Sequence, residues 1–398
     1  MKLLFLHDAA LDSGRANAIQ VLHMCHAFAQ WGQDVTLAVP ASRAMRRHEL
    51  LKEAAAQIGK AVEFKIVPYR KCTVAGRFTM IGGCLGASCL LKRVQPDCCL
   101  TRNPIYLNLI LQRGLRTVFE SHNSILHDNH FLNRAFSRNL LRNGRRNGLV
   151  GFIAISQNLA DFWIKAGIPR QKTLVLHDGV DVESYQPAPD VQLLRRQLRL
   201  PLDRKIVTYT GSFYPDREIE KILLLAQANP QTFFVLVGGP NENSARFADL
   251  ASQLRITNIT FPGRVSHARV KDYLFAADVL LMVWSRKVRT INYCSPLKVF
   301  EYMAAGRTIV GHRFPTICEV LSDGKNALLA DPDSFDDLKG KLTQAISMPT
   351  NNSLAQAARK LAFDKYSWNS RASQILSFIR YESVFDDVTS IQKVQKLK

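Results

Sequence analysis

The sequence predicts an α/β protein made of two Rossmann-like, doubly wound domains facing a central cleft, and three observations carry that prediction. Short apolar segments alternate with helix-like stretches from the N-terminus onward, the pattern of a parallel sheet covered on both faces. The alternation breaks at a Pro-rich passage, Gln186–Asp190, and restarts after Asp203. At 398 residues the chain is long for one domain and suits two.

The elements follow in order. KLLFLHD reads as a first buried strand. A glycine turn at Ser13, Gly14 and Arg15 leads into a helix-like run from Ala18 to Trp31, which Gly32 ends. DVTLAVP is the second strand, and VEFKIVP, CCLTR, TVFESH and GFIAIS continue the set. TLVLHDGVDVESYQP closes a first domain of residues 1–187, and an Arg/Leu helix, LLRRQLRL, opens a second of residues 188–369. Its strands are KIVTYTG, TFFVLVGG, NITFPG, DVLLMVW, TIVGH and ALLAD, with helices over Arg217–Ala228, Ala245–Leu254 and Ala268–Ala276. A last helix falls near Ser367–Tyr381, and the polar tail from Asp386 is expected to fray. Open parallel sheets bind ligands beyond the carboxyl ends of their strands, so candidate residues are sought there.

Composition bounds the function. The hydrophobic fraction of 47% supports full cores, and mean hydropathy near zero reads as a water-soluble chain. The N-terminus resembles a strand more than a signal peptide, and Phe78–Leu91 is too short and glycine-rich to span a bilayer. A cytoplasmic protein, peripheral on the inner face of the membrane, is the expectation. The eight cysteines show no CxxC pair and no zinc spacing, so free thiols and no metal are expected. The net charge is +20. Residues 41–93 carry eleven Lys and Arg, among them Arg43, Arg46 and Arg47, against three acids. Arg134, Arg138 and Arg142 follow at spacing four, on one helical face. Such surfaces attract anionic lipid, a phosphate-bearing acceptor or nucleic acid; solvated basic faces are the plain alternative.

The most informative stretch is Ser295–Gly306, SPLKVFEYMAAG. A turn of Ser295, Pro296 and Leu297 opens into an apolar helix. A helix start offers free N–H groups and a positive dipole end to phosphate. Lys298 adds a cation, and Glu301, about a turn on, is placed to accept from the two hydroxyls of a ribose. A phosphate grip followed by a diol grip suits a nucleoside diphosphate; a capped surface helix is the plain alternative. Gly211 ends KIVTYTG, and Arg217 stands six positions on, where its planar donors suit a diphosphate from the other side. Charge there matters because a departing nucleoside diphosphate develops negative charge. His122 ends TVFESH, with Glu120 two positions earlier on the same side of the strand. Gly14, after the first strand, allows close backbone approach to a phosphate or sugar. Neither GxGxxG in that turn nor GxxxxGK[ST] anywhere is present, which weighs against a dinucleotide dehydrogenase and a P-loop enzyme.

These pieces, in this order, resemble the family 4 glycosyltransferases of GT-B fold over nearly the whole chain. SGRANAIQVLHMCHAFAQWGQDVTLAVP is similar to the family's glycine loop, helix and second strand, ESHN carries the family histidine at His122, and VLHDGVDVESYQP matches the segment before the linker. FPGRVSHARVKDYLFAADVLLM resembles the nucleobase segment, SPLKVFEYMAAGRTIV the diphosphate and ribose segment, and DKYSWNSRASQI the closing helix. The resemblance implies a retaining, metal-independent transfer without cofactor. The donor is a UDP- or GDP-linked sugar and the acceptor a lipid-linked or polysaccharide glycan. Arg217, Lys298 and the amides after Ser295 would hold diphosphate, with Gly14, Gly211, Ser212, Pro296 and Leu297 around the donor. Arg264 and Val265 would contact the base, Glu301 the ribose and His122 the transferred sugar. The closing helix, about 370–385, would pack back on the first domain. Two departures stand out: Ser212 follows Gly211 where the family often has Arg, and Tyr293 replaces the first of two glutamates. Two other readings remain at this point: a basic nucleic-acid-binding protein, which lacks a recognition motif here, and a catalytically inactive partner subunit. Partners expected are a nucleotide sugar, a glycan acceptor and an anionic membrane surface, and no nucleic acid.

Overall fold

The computed structural model describes residues 1–9, 11, 16–40, 47–69, 73–74, 77–78, 80–123, 138, 140–143 and 148–380. The chain divides into two compact units, one of Met1–His177 with the chain from Trp368 onward, the other Asp178–Ser367. The compact units thus part at 177/178, where the sequence reading divides the chain after residue 187. Residues 178–187 bond within the second unit: the Ser295 Oγ accepts the Asp178 N–H at 2.8 Å, Val180 N–H donates to the Tyr366 carbonyl at 2.9 Å, and the Tyr185 carbonyl accepts from Arg359 at 3.0 Å.

The first unit is a parallel sheet of β1 (Lys2–Leu6), β2 (Asp34–Pro40), β3 (Lys65–Tyr69), β6 (Cys98–Thr101), β7 (Thr117–Ser121), β8 (Leu149–Ala154) and β9 (Thr173–Val175), in the order β3-β2-β1-β6-β7-β8-β9. A two-residue antiparallel pair, β4 (Thr73–Val74) with β5 (Arg77–Phe78), precedes α3 (Met80–Val94). Helices α1 (Ala16–Gln30), α2 (Arg47–Ile58), α4 (Pro104–Leu111) and α5 (Gln157–Ala166) connect strands. The last helix, α14 (368–380), returns to this sheet. Phe378 of α14 lies against Gly151 of β8, where an added Cβ would meet its ring at 3.4 Å. Every residue of β8 is buried, as the continuous apolar run demands, because both faces of a parallel sheet are covered. Phe119, Phe152 and Trp163 pack ring on ring at 5.6 and 5.8 Å, each burial contributing about 1.5–3 kcal/mol. Cys98 and Cys99 are fully buried strand residues. Local chemistry sets the helix starts: Asn103 accepts the Ile105 and Tyr106 N–H groups ahead of α4, and Ser156 accepts that of Leu159 ahead of α5.

The second unit repeats the plan with β10 (Ile206–Ser212), β11 (Phe233–Gly239), β12 (Ile259–Gly263), β13 (Val279–Met282), β14 (Thr308–His312) and β15 (Leu328–Ala330), ordered β12-β11-β10-β13-β14-β15, all parallel. Its helices are α6 (Val191–Gln197), α7 (Ile219–Ala228), α8 (Asn241–Gln253), α9 (His267–Ala276), α10 (Leu297–Ala305), α11 (Pro315–Cys318), α12 (Phe335–Ser347) and α13 (Ser353–Lys365). Alternate strand residues feed two cores: Ile206, Val235, Leu280 and Ile309 face one, and Val207, Phe234, Leu281 and Val310 face the other. The strand order reverses beside β1 in the first unit and beside β10 in the second, the topological switch points where such sheets open a crevice. The helix expected over Arg217–Ala228 is instead a 3-10 turn, Pro215–Arg217, then α7; Glu218 between them holds φ 49° and breaks the run.

Candidate functional site

In the second unit the candidate residues gather at the carboxyl end of β10. Lys298, in the first turn of α10, donates from Nζ to the Thr210 carbonyl at 2.6 Å, and its ammonium lies 4.4 Å from the Tyr209 ring centroid. Tyr302, one turn on, grips the same residue: its hydroxyl accepts the Thr210 N–H at 2.9 Å. The start of α10 is thereby pinned to the end of β10. Gly211 makes that possible, since a Cβ there would stand 2.5 Å from the Lys298 Nζ.

Arg217 comes to the same place from the 3-10 turn. Its guanidinium stacks on Trp284 at 5.3 Å, an indole that also has the Lys298 ammonium 6.0 Å from its centroid. Arg217 Nε donates to Ser212 Oγ at 3.2 Å and Nη1 to Asp216 at 3.3 Å. Ser212, where the family often has Arg, thus holds Arg217. Ser285 anchors the turn by donating to the Asp216 carbonyl at 3.1 Å. Burial, and then the neighbouring Arg217 charge, push the Lys298 ammonium down to about 7.

Ser295 is buried, with its hydroxyl accepting from Asp178. Pro296 is the N-cap of α10 and makes no side-chain cap bond; helix starts of this kind can receive an anion. Glu301, in the second turn of α10, is 8% exposed. Its Oε1 stands 2.6 Å from Nε2 of His267, a residue the sequence reading did not single out. Arg264 is exposed and Val265 half-buried; both stand just ahead of Ser266, the N-cap of α9, and the Arg264 N–H donates to Asn241 Oδ1 at 3.1 Å. Tyr293 turns its hydroxyl to the Arg289 carbonyl at 3.1 Å.

In the first unit His122 follows β7. Its Nε2 lies 2.6 Å from Oε1 of Glu120, so the shared side of the strand does bring them together. Glu120 is buried among polar partners: Gln20 of α1 donates to it at 2.8 Å, Arg102 after β6 pairs its charge at 3.0 Å, and Arg371 of α14 donates at 3.2 Å. Burial works to raise its carboxyl, but Arg371, Arg102 and the His122 bond outweigh it and hold the group well below the ordinary carboxylate range. Arg371 also donates to the His177 carbonyl at 2.9 Å. Neither Arg102 nor Arg371 was expected from the sequence.

Arg47, Arg138 and Arg142 are exposed. Gly14, Arg43, Arg46 and Arg134 lie outside the described residues. Among the described residues no group of three or more His, Cys, Asp or Glu comes together as a metal site, and no helix is long and apolar enough to cross a membrane.

Known proteins give this geometry a family. The profile of "Glycosyl transferases group 1" matches residues 190–361, and that of "Glycosyltransferase Family 4" matches residues 18–184. The chain is 26% identical over 238 residues to a lipopolysaccharide 1,2-N-acetylglucosaminetransferase of Salmonella typhimurium, a match covering 56% of this chain and 60% of that protein. It is 25% identical over 227 residues to a D-inositol 3-phosphate glycosyltransferase of Mycobacterium leprae, covering 55% of this chain and 51% of that protein. The matches thus span little more than half the length of these curated relatives. In structure it resembles HepE of Anabaena, solved in complex with UDP, with a TM-score of 0.74 at 18% identity over 95% of this chain and 100% of that one. Two parallel doubly wound sheets with this fold likeness, and two family profiles that between them take in most of the sequence, lead to one assignment: the chain belongs to the family 4 glycosyltransferases and has the GT-B fold.

Proposed function

We propose that this chain is a retaining, metal-independent glycosyltransferase that moves a sugar from a nucleoside-diphosphate sugar to a lipid-linked or polysaccharide acceptor. The observation that carries the reading is the convergence of Lys298 and Arg217 beside the uncapped start of α10, at the end of β10. Two cations and the positive end of a helix offset the charge that grows on a leaving diphosphate, which is where such a transfer needs stabilisation. Glu301 binds the ribose diol, Arg264 and Val265 flank the base, and His122 contacts the transferred sugar. The Salmonella relative supports a lipopolysaccharide-type acceptor and the UDP-bound neighbour a UDP-linked donor. Arg47, Arg138 and Arg142 meet an anionic membrane at the cytoplasmic face, where polybasic surfaces gain about 1 kcal/mol per cation.

A thermal-shift panel of UDP, GDP, ADP and their sugars in EDTA tests the donor grip. Ligand at a hundred times its dissociation constant adds about 2.7 kcal/mol, a rise of roughly 5–10 °C in melting temperature for units of this size. If none of these nucleotides shifts the melt, the reading falls. The anomeric configuration of the product, read by NMR, tests retention, and flotation with phosphatidylserine vesicles at low and high salt tests the membrane step separately.

A further inference from the structure

We propose that His267 is a positioning residue that sets the Glu301 carboxylate for the ribose of the donor, so that the base-contacting turn and the ribose-holding acid work as one unit. This rests on the nucleotide reading above and deepens it. Among the described residues His267 supplies the hydrogen bond to the Glu301 carboxylate, at 2.6 Å. A carboxylate accepts and does not donate, so the imidazole N–H is the donor. The last torsion of a Glu side chain is broad and roughly two-fold. Left alone, the carboxylate plane would sample orientations of which few meet two neighbouring hydroxyls. A short bond at one oxygen fixes the plane and leaves the other oxygen for the diol.

The second half of the argument is where His267 comes from. It is the first residue of α9, three positions after Arg264 and two after Val265. That turn is itself held: Gly263 takes φ 75°, the Arg264 N–H bonds Asn241, and Val265 packs on the core. A base seated against the turn therefore sits on the same short rigid segment that aims Glu301. The side chain of His267 is 27% exposed and that of Glu301 11%, so the pair borders solvent rather than lying sealed in the core.

Calorimetric titration with UDP and 2′,3′-dideoxy-UDP, and with GDP and its dideoxy form, tests the coupling. The wild type should prefer the ribose form by about tenfold or more, because a site built to bond hydroxyls rejects the analogue lacking them. His267→Ala should weaken the ribose form about five- to tenfold while changing the dideoxy form less than about twofold, the size of one lost hydrogen bond. His267→Gln, which keeps an N–H donor, should restore most of the preference. His267→Phe keeps a planar ring without the donor, and should behave as His267→Ala does if that variant fails to fold. Added to Glu301→Gln, loss of His267 should change the preference no further. An equal loss for both forms, or an unchanged preference, overturns the proposal and leaves the nucleotide reading intact. A wild type that binds none of UDP, GDP and ADP overturns both.

Discussion

Replacing Glu120 should damage the first unit more than any surface acid. Its carboxylate is fully surrounded, with the Arg371 and Arg102 side chains 3% and 10% exposed against it and bonds from Gln20 and His122 at 2.8 and 2.6 Å. Glu120→Ala leaves two guanidiniums confined without their counter-charge, and breaking a buried pair from one side costs about 3–5 kcal/mol. Glu120→Gln keeps two acceptor sites and loses the charge, so it should cost less, about 1–3 kcal/mol. Urea denaturation at pH 7 reads both: at a slope near 3 kcal/mol per M, the midpoint should fall by about 1–1.7 M for Ala. Added salt should not remove the difference, since screening acts on exposed charges. The linkage sign follows from a folded-state carboxyl held below its unfolded value. Its contribution is present above the unfolded value, about 4.3, and is lost as pH falls through the folded one. The gap between wild type and Glu120→Ala should therefore hold from pH 8 to 5 and close only in strong acid. An alanine cost under 1 kcal/mol at pH 7, or a gap that vanishes by pH 6, would refute the reasoning.

Two further outcomes follow from the second unit. The Lys298 ammonium sits near 7 in the free fold, below an unfolded value near 10.4, so the folded chain releases that proton as pH rises through 7. A diphosphate calls the proton back, and UDP-glucose affinity should weaken about tenfold or more from pH 6.5 to 8.5; Lys298→Met should bind weakly with a flat profile, and a flat wild-type profile would contradict this. Gly238 holds φ 151° with an added Cβ falling 1.7 Å from the Gly211 carbonyl oxygen. Gly238→Ala should cost more than about 4 kcal/mol, whereas Gly324→Ala, at φ 70° with nothing within 4 Å, should cost only about 1 kcal/mol of backbone strain; thermal melts of the pair separate clash from strain, and equal melts would refute the distinction.

The architecture was legible because both sheets are parallel. Strands covered on both faces must be apolar throughout, so KLLFL, FFVLVG and VLLM announce themselves without neighbours. Position in the fold marks the residues of the proposed phosphate grip too: Arg217 and Lys298 stand out as cations where a strand ends and a helix starts. What stayed hidden are pairings over distance. His267 and Glu301 are 34 positions apart and Glu120 and Arg371 are 251, and no spacing rule links them. The available signal was an arginine amid the apolar stretch WNSRASQILSFI, since a cation there needs a buried partner. The prolines mark a linker in the sequence, but nothing there announces that the hydroxyl of Ser295, 117 residues on, holds Asp178.

The return of α14 has a consequence for how the chain is made. The first unit lacks its own last piece until Phe378 reaches Gly151 and Arg371 reaches Glu120. Between them the ribosome must synthesise all of Asp178–Ser367, roughly 10–40 s of translation at 5–20 residues per second. The half of the molecule that emerges first is thus the half completed last, its sheet unclosed while the whole second unit is made. A fragment stopped at His177 inherits that unfinished state permanently and is a natural client for chaperones.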